Sequence, residues 1–193
     1  MPVTTLDPGT ALVVIDLQKG IVAMPVVHPV REVIANAVRL VDAFRKRARP
    51  VVLVRVGWAE DRLDVIRTRT DVPPPAGAPA PGFSDYLEEL CADPRRDILV
   101  QKRQWGAFYG TDLDLQLRRR HITNLVLCGI ATSIGVESTA RDAWERSYHL
   151  AFAVDAMTDR VAEAHERAVG TIFPRLGEIG TTSDILTLLD RHT

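Results

Sequence analysis

Cysteine is scarce in this chain: Cys91 and Cys128 are the two present among 193 residues. They lie in unlike contexts, Cys128 within an apolar run where a thiol behaves as a small hydrophobe, so no disulfide is expected. Long hydrophobic runs are missing too. None approaches the roughly 18 residues of a membrane span, and Met1-Pro-Val-Thr-Thr-Leu-Asp-Pro8 has neither the basic nor the apolar region of a secretory signal. A cytoplasmic protein is expected. Nor does one sign of charge dominate. The 24 basic and 25 acidic residues are mixed throughout and leave a formal charge of −1, so no basic face announces nucleic acid and no polybasic tail announces a membrane. A small molecule is the partner class that remains.

What is present suits one domain over residues 1–193, long enough to bury about 70% of its unfolded surface without staples. Apolar runs alternate with segments of helical period, as in βα units. Six strands are predicted: Ala11–Asp16, Pro50–Val56, Asp97–Gln101, Asn124–Cys128, His149–Val154 and a weak one near Gly177–Ile179. Val30, Val33, Ile34, Ala37, Val38, Val41 and Phe44 keep the spacing of one helix face, closed by Arg45-Lys-Arg47. Further helices are predicted at Phe83–Cys91, Thr111–Arg120, Ile134–Ser147, Ala162–Phe173 and Ser183–Asp190, with Ser183 as N-cap of the last. Right-handed crossovers make this a three-layer α/β/α, doubly wound, Rossmann-like fold on a six-stranded, mainly parallel sheet. Asp71-Val-Pro-Pro-Pro-Ala-Gly-Ala-Pro-Ala-Pro-Gly82 breaks the alternation. It reads as a stiff loop, serving as a surface connection, a lid or an oligomer contact. No internal repeat is visible.

Three strand ends carry the candidate chemistry. Asp16 follows the hydrocarbon run Ala11-Leu-Val-Val-Ile15, which places its carboxylate where open α/β sheets bind ligands. It either caps a turn or holds a proton for transfer, because partial burial raises a carboxyl pKa and a nearby lysine opposes the rise. Gln18, on the same turn, offers an amide to a polar substrate group. Lys102 ends the run Ile98-Leu-Val-Gln101 with Trp105, Phe108 and Tyr109 close behind. The lysine is either solvated or partly desolvated and coupled to a carboxylate, and Trp105 and Phe108 either pack the core or line a pocket. The third end, Leu125 to Asp142, reads as a buried strand, a glycine-bearing turn and a helix start, presenting backbone N–H groups to a developing anion. Its natural reactive position, Gly135, has no side chain.

These residues resemble the isochorismatase-like hydrolases along nearly the whole chain, through Val13-Val-Ile-Asp-Leu-Gln18, Lys102-Arg-Gln-Trp-Gly-Ala-Phe-Tyr-Gly-Thr-Asp112 and Gly129-Ile-Ala-Thr-Ser-Ile-Gly-Val-Glu-Ser-Thr-Ala140. Most members of that family, within the cysteine hydrolase superfamily, cleave amides with an Asp–Lys–Cys triad. The resemblance implies catalytic places for Asp16 and Lys102 and sets Gly135 where the cysteine stands. It further implies that the N–H groups of Ala131 and Gly135 bind an oxyanion and that a cis peptide falls at Ile130–Ala131. Vinyl ether hydrolases of the family look glycine-substituted at the same position, but Ala131 and Ser133 stand where their motif has Tyr and His. Trp58-Ala-Glu60 replaces the Asp-x-His pair of related nicotinamidases, so no metal is expected, and no other cofactor.

The leading reading is an isochorismatase-like hydrolase of a small, carboxylated metabolite, working by non-covalent acid catalysis. Asp16 is the acid, Lys102 the orienting cation, and Gln18, Trp105, Phe108, Ala131 and Ser133 the substrate contacts. One alternative is a relative of the cysteine amidases that keeps only small-molecule binding. Another is a serine hydrolase in which Ser133, Asp155 and His165 follow the order of an α/β-hydrolase triad. A homo-oligomer is expected, since the family forms oligomers and Trp58 and Tyr86 offer apolar surface.

Overall fold

The computed structural model describes residues 3–72 and 77–191. Its strands are β1 (Thr10–Ile15), β2 (Val51–Val56), β3 (Ile98–Lys102), β4 (Asn124–Ile130), β5 (His149–Thr158) and β6 (Glu178–Gly180). They form one sheet in the order β3-β2-β1-β4-β5-β6, every neighbouring pair parallel. β1 and β4 are buried along their whole length, as hydrocarbon runs must be when both faces of a parallel sheet are covered.

Successive side chains of a strand point to opposite faces, and each face has its own core. Leu12, Val14, Val126 and Cys128 pack on one side with α2 (Val30–Lys46) and with α6 (Thr182–Arg191). Val13, Ile15, Leu125 and Leu127 pack on the other with Leu113 and Leu117 of α3 (Leu113–Arg119) and Ala140 and Ala143 of α4 (Glu137–Glu145). Of the predicted helix face of α2, Val33, Ala37, Val41 and Phe44 are buried, joined by Leu40, while Val30, Ile34 and Val38 are partly buried at its margin. Each large side chain buried this way contributes roughly 1.5–3 kcal/mol.

Four sequence expectations are corrected. The segment Phe83–Cys91 is no α-helix. Its carbonyls at Phe83 and Asp85 accept the N–H groups of Gly20 and Lys19 at 3.0 and 2.9 Å, opening the short α1 (Lys19–Val22), and only Glu88–Leu90 makes a 3₁₀ turn. Helix α4 begins later than expected, after a π-turn at Thr132–Val136. The stretch from Ala162 is α-helical only as α5 (Ala162–Arg167), followed by a π-turn and a 3₁₀ turn. Ser183 lies inside α6; Thr181 and Asp184 cap it reciprocally instead, Thr181 N–H donating to Asp184 Oδ2 at 2.8 Å and Asp184 N–H to Thr181 Oγ1 at 3.2 Å. Of the proline-rich segment 71–82, residues 73–76 lie outside the described residues, and the rest carries no helix or strand.

The aromatics expected at the surface are half-buried. Trp58 stacks on Phe83, and Tyr86 donates its hydroxyl to Leu53 O beneath the Arg55 guanidinium. Trp105, Tyr109 and Trp144 are the exposed ones. Among the described residues no helix is long and apolar enough to cross a membrane.

β1 continues through α2 to β2 on one side and lies against β4 on the other. Chain direction thus diverges between β1 and β4, the switch point where open α/β sheets form a crevice at their carboxyl ends. Gly129 closes the end of β4 tightly on β1. Its φ is +121° and a Cβ there would stand 2.0 Å from Ile15 O, so no other residue fits.

Candidate active site

Asp16 terminates β1 in the left-handed region, φ 52°, a conformation that aspartate tolerates better than most residues. Its N–H still donates to Val54 O of β2 at 2.9 Å, and Gln18 N–H donates to its carbonyl at 2.9 Å. The carboxylate is buried, as is Lys102 at the end of β3. Because β2 lies between β1 and β3, the lysine stem must cross the end of β2 to bring Nζ within 2.9 Å of Asp16 Oδ2. Lys102 also donates to the Trp105 carbonyl. The other carboxylate oxygen, Asp16 Oδ1, is buried without a hydrogen-bond partner. Burial pushes the Asp16 carboxyl up to about 6 against the pull of Lys102.

Gly135 completes the constellation. It is buried in the π-turn after β4, and a Cβ built on it would stand 3.2 Å from Asp16 Oδ2, 3.2 Å from Lys102 Nζ and 3.0 Å from Ile15 Cγ2. The three positions that the sequence marked therefore meet at one point, and the direction in which residue 135 would project runs between the acid and the lysine. Ala131 begins the same turn, its carbonyl accepting the N–H groups of Ile134 and Val136 at 3.1 and 3.2 Å. The Ile130–Ala131 peptide is cis, as the resemblance implied. Ser133 is partly buried on the turn, and its N–H donates to Asp159 Oδ2 at 2.7 Å.

Other expected contacts fall elsewhere. The Gln18 amide is fully buried; its nitrogen donates to Val56 O and Phe83 O, both at 3.0 Å, and its oxygen accepts Val56 N–H at 2.7 Å. It holds the β1 and β2 ends and the Phe83 segment together and has no donor left for a substrate. Phe108 packs in the core beside Tyr148, with the Arg146 guanidinium over its ring. Trp105 turns its ring to the surface, 67% exposed, and contributes its carbonyl to Lys102.

The serine triad is not assembled. Asp155 Oδ1 accepts the Thr182 N–H and hydroxyl at 2.6 and 2.9 Å, fastening the start of α6. His165 pairs through Nδ1 with Thr132 Oγ1 at 2.9 Å, and its ring lies 4.5 Å from that of His28. Cys128 is fully buried on the opposite sheet face, its thiol pushed up to about 12 by burial and then by the Asp155 charge. Among the described residues no group of three or more His, Cys, Asp or Glu side chains could hold a metal ion.

Two residues at the site escaped sequence reasoning. Asp159 accepts Ser133 N–H at Oδ2 and Arg160 N–H at Oδ1, both at 2.7 Å, anchoring the turn from the end of β5 with no local pattern to announce it. Thr139, fully buried on α4, donates its hydroxyl to Gly135 O at 2.7 Å and accepts Ala107 N–H at 3.1 Å. Its spacing of four from Gly135 is the distance at which a helical hydroxyl bonds back to the chain, a signal the sequence did contain.

Fold and site define an α/β protein of the doubly wound class whose switch-point crevice holds a buried acid–lysine pair facing a residue with no side chain. The isochorismatase domain pattern matches residues 10–184, and the chain belongs to the isochorismatase family of hydrolases. It is 46% identical over 183 residues to YecD of Escherichia coli O157:H7, an uncharacterized isochorismatase family protein, covering 93% of this chain and 96% of that one. It is 33% identical over 171 residues to the ureidoacrylate amidohydrolase RutB of Agrobacterium fabrum, covering 76% and 75%. An isochorismatase family protein of known structure from Burkholderia thailandensis superimposes with a TM-score of 0.93 at 44% identity, covering 97% and 99%.

Proposed function

We propose that this protein hydrolyses a small, carboxylated metabolite of the vinyl ether type without a covalent enzyme intermediate. The observation that carries the reading is the Asp16 carboxyl: one oxygen on Lys102, the other buried and unpartnered, and no nucleophilic side chain at residue 135. Asp16 delivers its proton to the enol ether carbon, leaving an oxocarbenium ion. Water adds to that cation and returns a proton to Asp16, and the hemiketal collapses to a carbonyl compound and an alcohol. Lys102 orients the substrate carboxylate and stabilises the Asp16 anion left after transfer. Ala131 and Ser133 lie on the turn beside the reacting atoms.

The experiment is a screen of vinyl ethers, isochorismate first, and of simple amides and ureido compounds, followed by Asp16→Asn on any hit. The variant keeps size and most hydrogen bonding but holds no carboxylic proton, so kcat should fall by about 10²- to 10⁴-fold with affinity little changed. A wild type that binds a ligand, turns over none of these compounds and binds equally well without the Asp16 charge would establish a binding protein instead.

A further inference from the structure

The Thr139 hydroxyl stands where three segments of the site meet. One is the turn that carries Gly135, whose carbonyl takes the hydroxyl proton. The second is α4, from which the side chain grows. The third is the segment after β3, where Ala107 N–H donates to the same oxygen. Two residues before Ala107, the Trp105 carbonyl accepts from Lys102 Nζ. Between them, Gly106 lies flat on the helix: a Cβ there would stand 3.3 Å from Asp142 Oδ2 and 3.7 Å from Ser138 Cβ. Among the described residues, Ala107 to Thr139 is the one hydrogen bond joining residues 103–112 to residues 131–145. The backbone atom that fixes the lysine and the backbone of the residue facing it are thus referenced to one another through a single buried hydroxyl.

We infer that Thr139 is a positioning residue that sets where Lys102 stands relative to Asp16 and Gly135. The inference rests on the functional reading of that site, but its first readout does not need turnover. Without the hydroxyl, Ala107 N–H loses its acceptor in a buried place, Gly135 O loses this donor, and the two segments are free to separate. The Trp105 carbonyl then draws Lys102 away from Asp16. Lys102 is the charged group bonded to Asp16, and Tyr86, tied to Leu53 O, also senses its charge. A retreating cation pulls less strongly against burial, so the carboxyl should titrate higher.

The test compares Thr139→Val, nearly isosteric, with Thr139→Ser, which keeps the hydroxyl. Titration of the Asp16 carboxyl carbon is followed by ¹³C NMR in aspartate-labelled protein, the signal assigned by its loss in Asp16→Asn. The expected result is a midpoint raised by about half a unit or more in Thr139→Val and restored in Thr139→Ser. With a turned-over substrate in hand, kcat should fall about tenfold in the valine variant at little changed KM, and the serine variant should recover it. A folded valine variant with the wild-type midpoint overturns the inference, as does a serine variant that behaves like valine. Should Thr139→Val not fold, Thr139→Ala takes its place. If neither folds, the hydroxyl serves stability alone and the positioning role is lost. Asp16→Asn that leaves turnover intact defeats acid catalysis by Asp16, whereas the titration still decides for or against Thr139.

Discussion

Asp97 and Asp16 are buried carboxylates that face cations at the two ends of the sheet, and they differ in what their oxygens meet. Asp97, just before β3, receives Arg45 through Nε at 3.0 Å and Nη2 at 2.7 Å, and Asp93 N–H at 2.9 Å. Asp16, at the opposite end of the sheet, meets one lysine at Oδ2, and its Oδ1 has no hydrogen-bond partner in the protein. The guanidinium fork occupies both oxygens in a fixed geometry, while an ammonium is a point charge that occupies one. Equal burial thus gives a clasp in one place and a reactive acid in the other. Partial satisfaction together with burial leaves Asp16 room for a proton, its carboxyl raised to about 6.

The widest separation of the pair comes from exchanging the lesions. Asp16→Asn should cost turnover about 10²- to 10⁴-fold. Asp97→Ala should leave kcat alone and instead lower stability by about 3 kcal/mol, because it strands Arg45 with only the Leu90 and Cys91 carbonyls. Urea unfolding followed beside steady-state kinetics reads both. A variant at Asp97 that kept its stability but lost turnover would place that clasp in the catalytic machinery.

A smaller effect is the pH dependence. The acid must be protonated to act, and burial holds Asp16 at about 6, above its ordinary 3.8. The log of kcat/KM should therefore be level below that value and fall about one unit for each pH unit above it. The break belongs to the free enzyme, so it should coincide with the titration of the Asp16 carboxyl itself. A profile that instead rises through pH 6 would mean that Asp16 works as its anion, a base and not an acid.

How far the sequence reached follows from the same contrast between local and non-local bonding. β1 and β4 were readable because they are buried apolar runs, and Asp16 and Lys102 because one follows and the other ends an apolar strand. Gln18 was misjudged because its three partners lie on Val56 and Phe83, far along the chain. Phe83 to Cys91 has helical composition, but α1 takes its carbonyls, a competition invisible in a local window. Of the two places the sequence left open for Phe108, core or pocket wall, its neighbours in space give the core. The meeting of Asp16, Lys102 and Gly135 needed the strand order, since Lys102 reaches across the end of β2 to its partner.

The smallest effect expected is none, and it bears on Gly135. Two thiols are available. Cys91 is exposed after a 3₁₀ turn, whereas Cys128 is sealed in the core with its thiol held far above the working range. A thiol attacks as its thiolate, so iodoacetamide under native conditions should label Cys91 and spare Cys128. Cys91 neighbours the Arg45 and Asp97 clasp, its carbonyl accepting from Arg45 and Arg96, at the end of the sheet away from Asp16. Full labelling should therefore leave turnover unchanged, with mass spectrometry counting one modified thiol against the measured rate. Loss of activity in proportion to a label on Cys128 would mean that a sulfur replaces the side chain residue 135 lacks, and the acid at Asp16 would no longer suffice to explain the reaction.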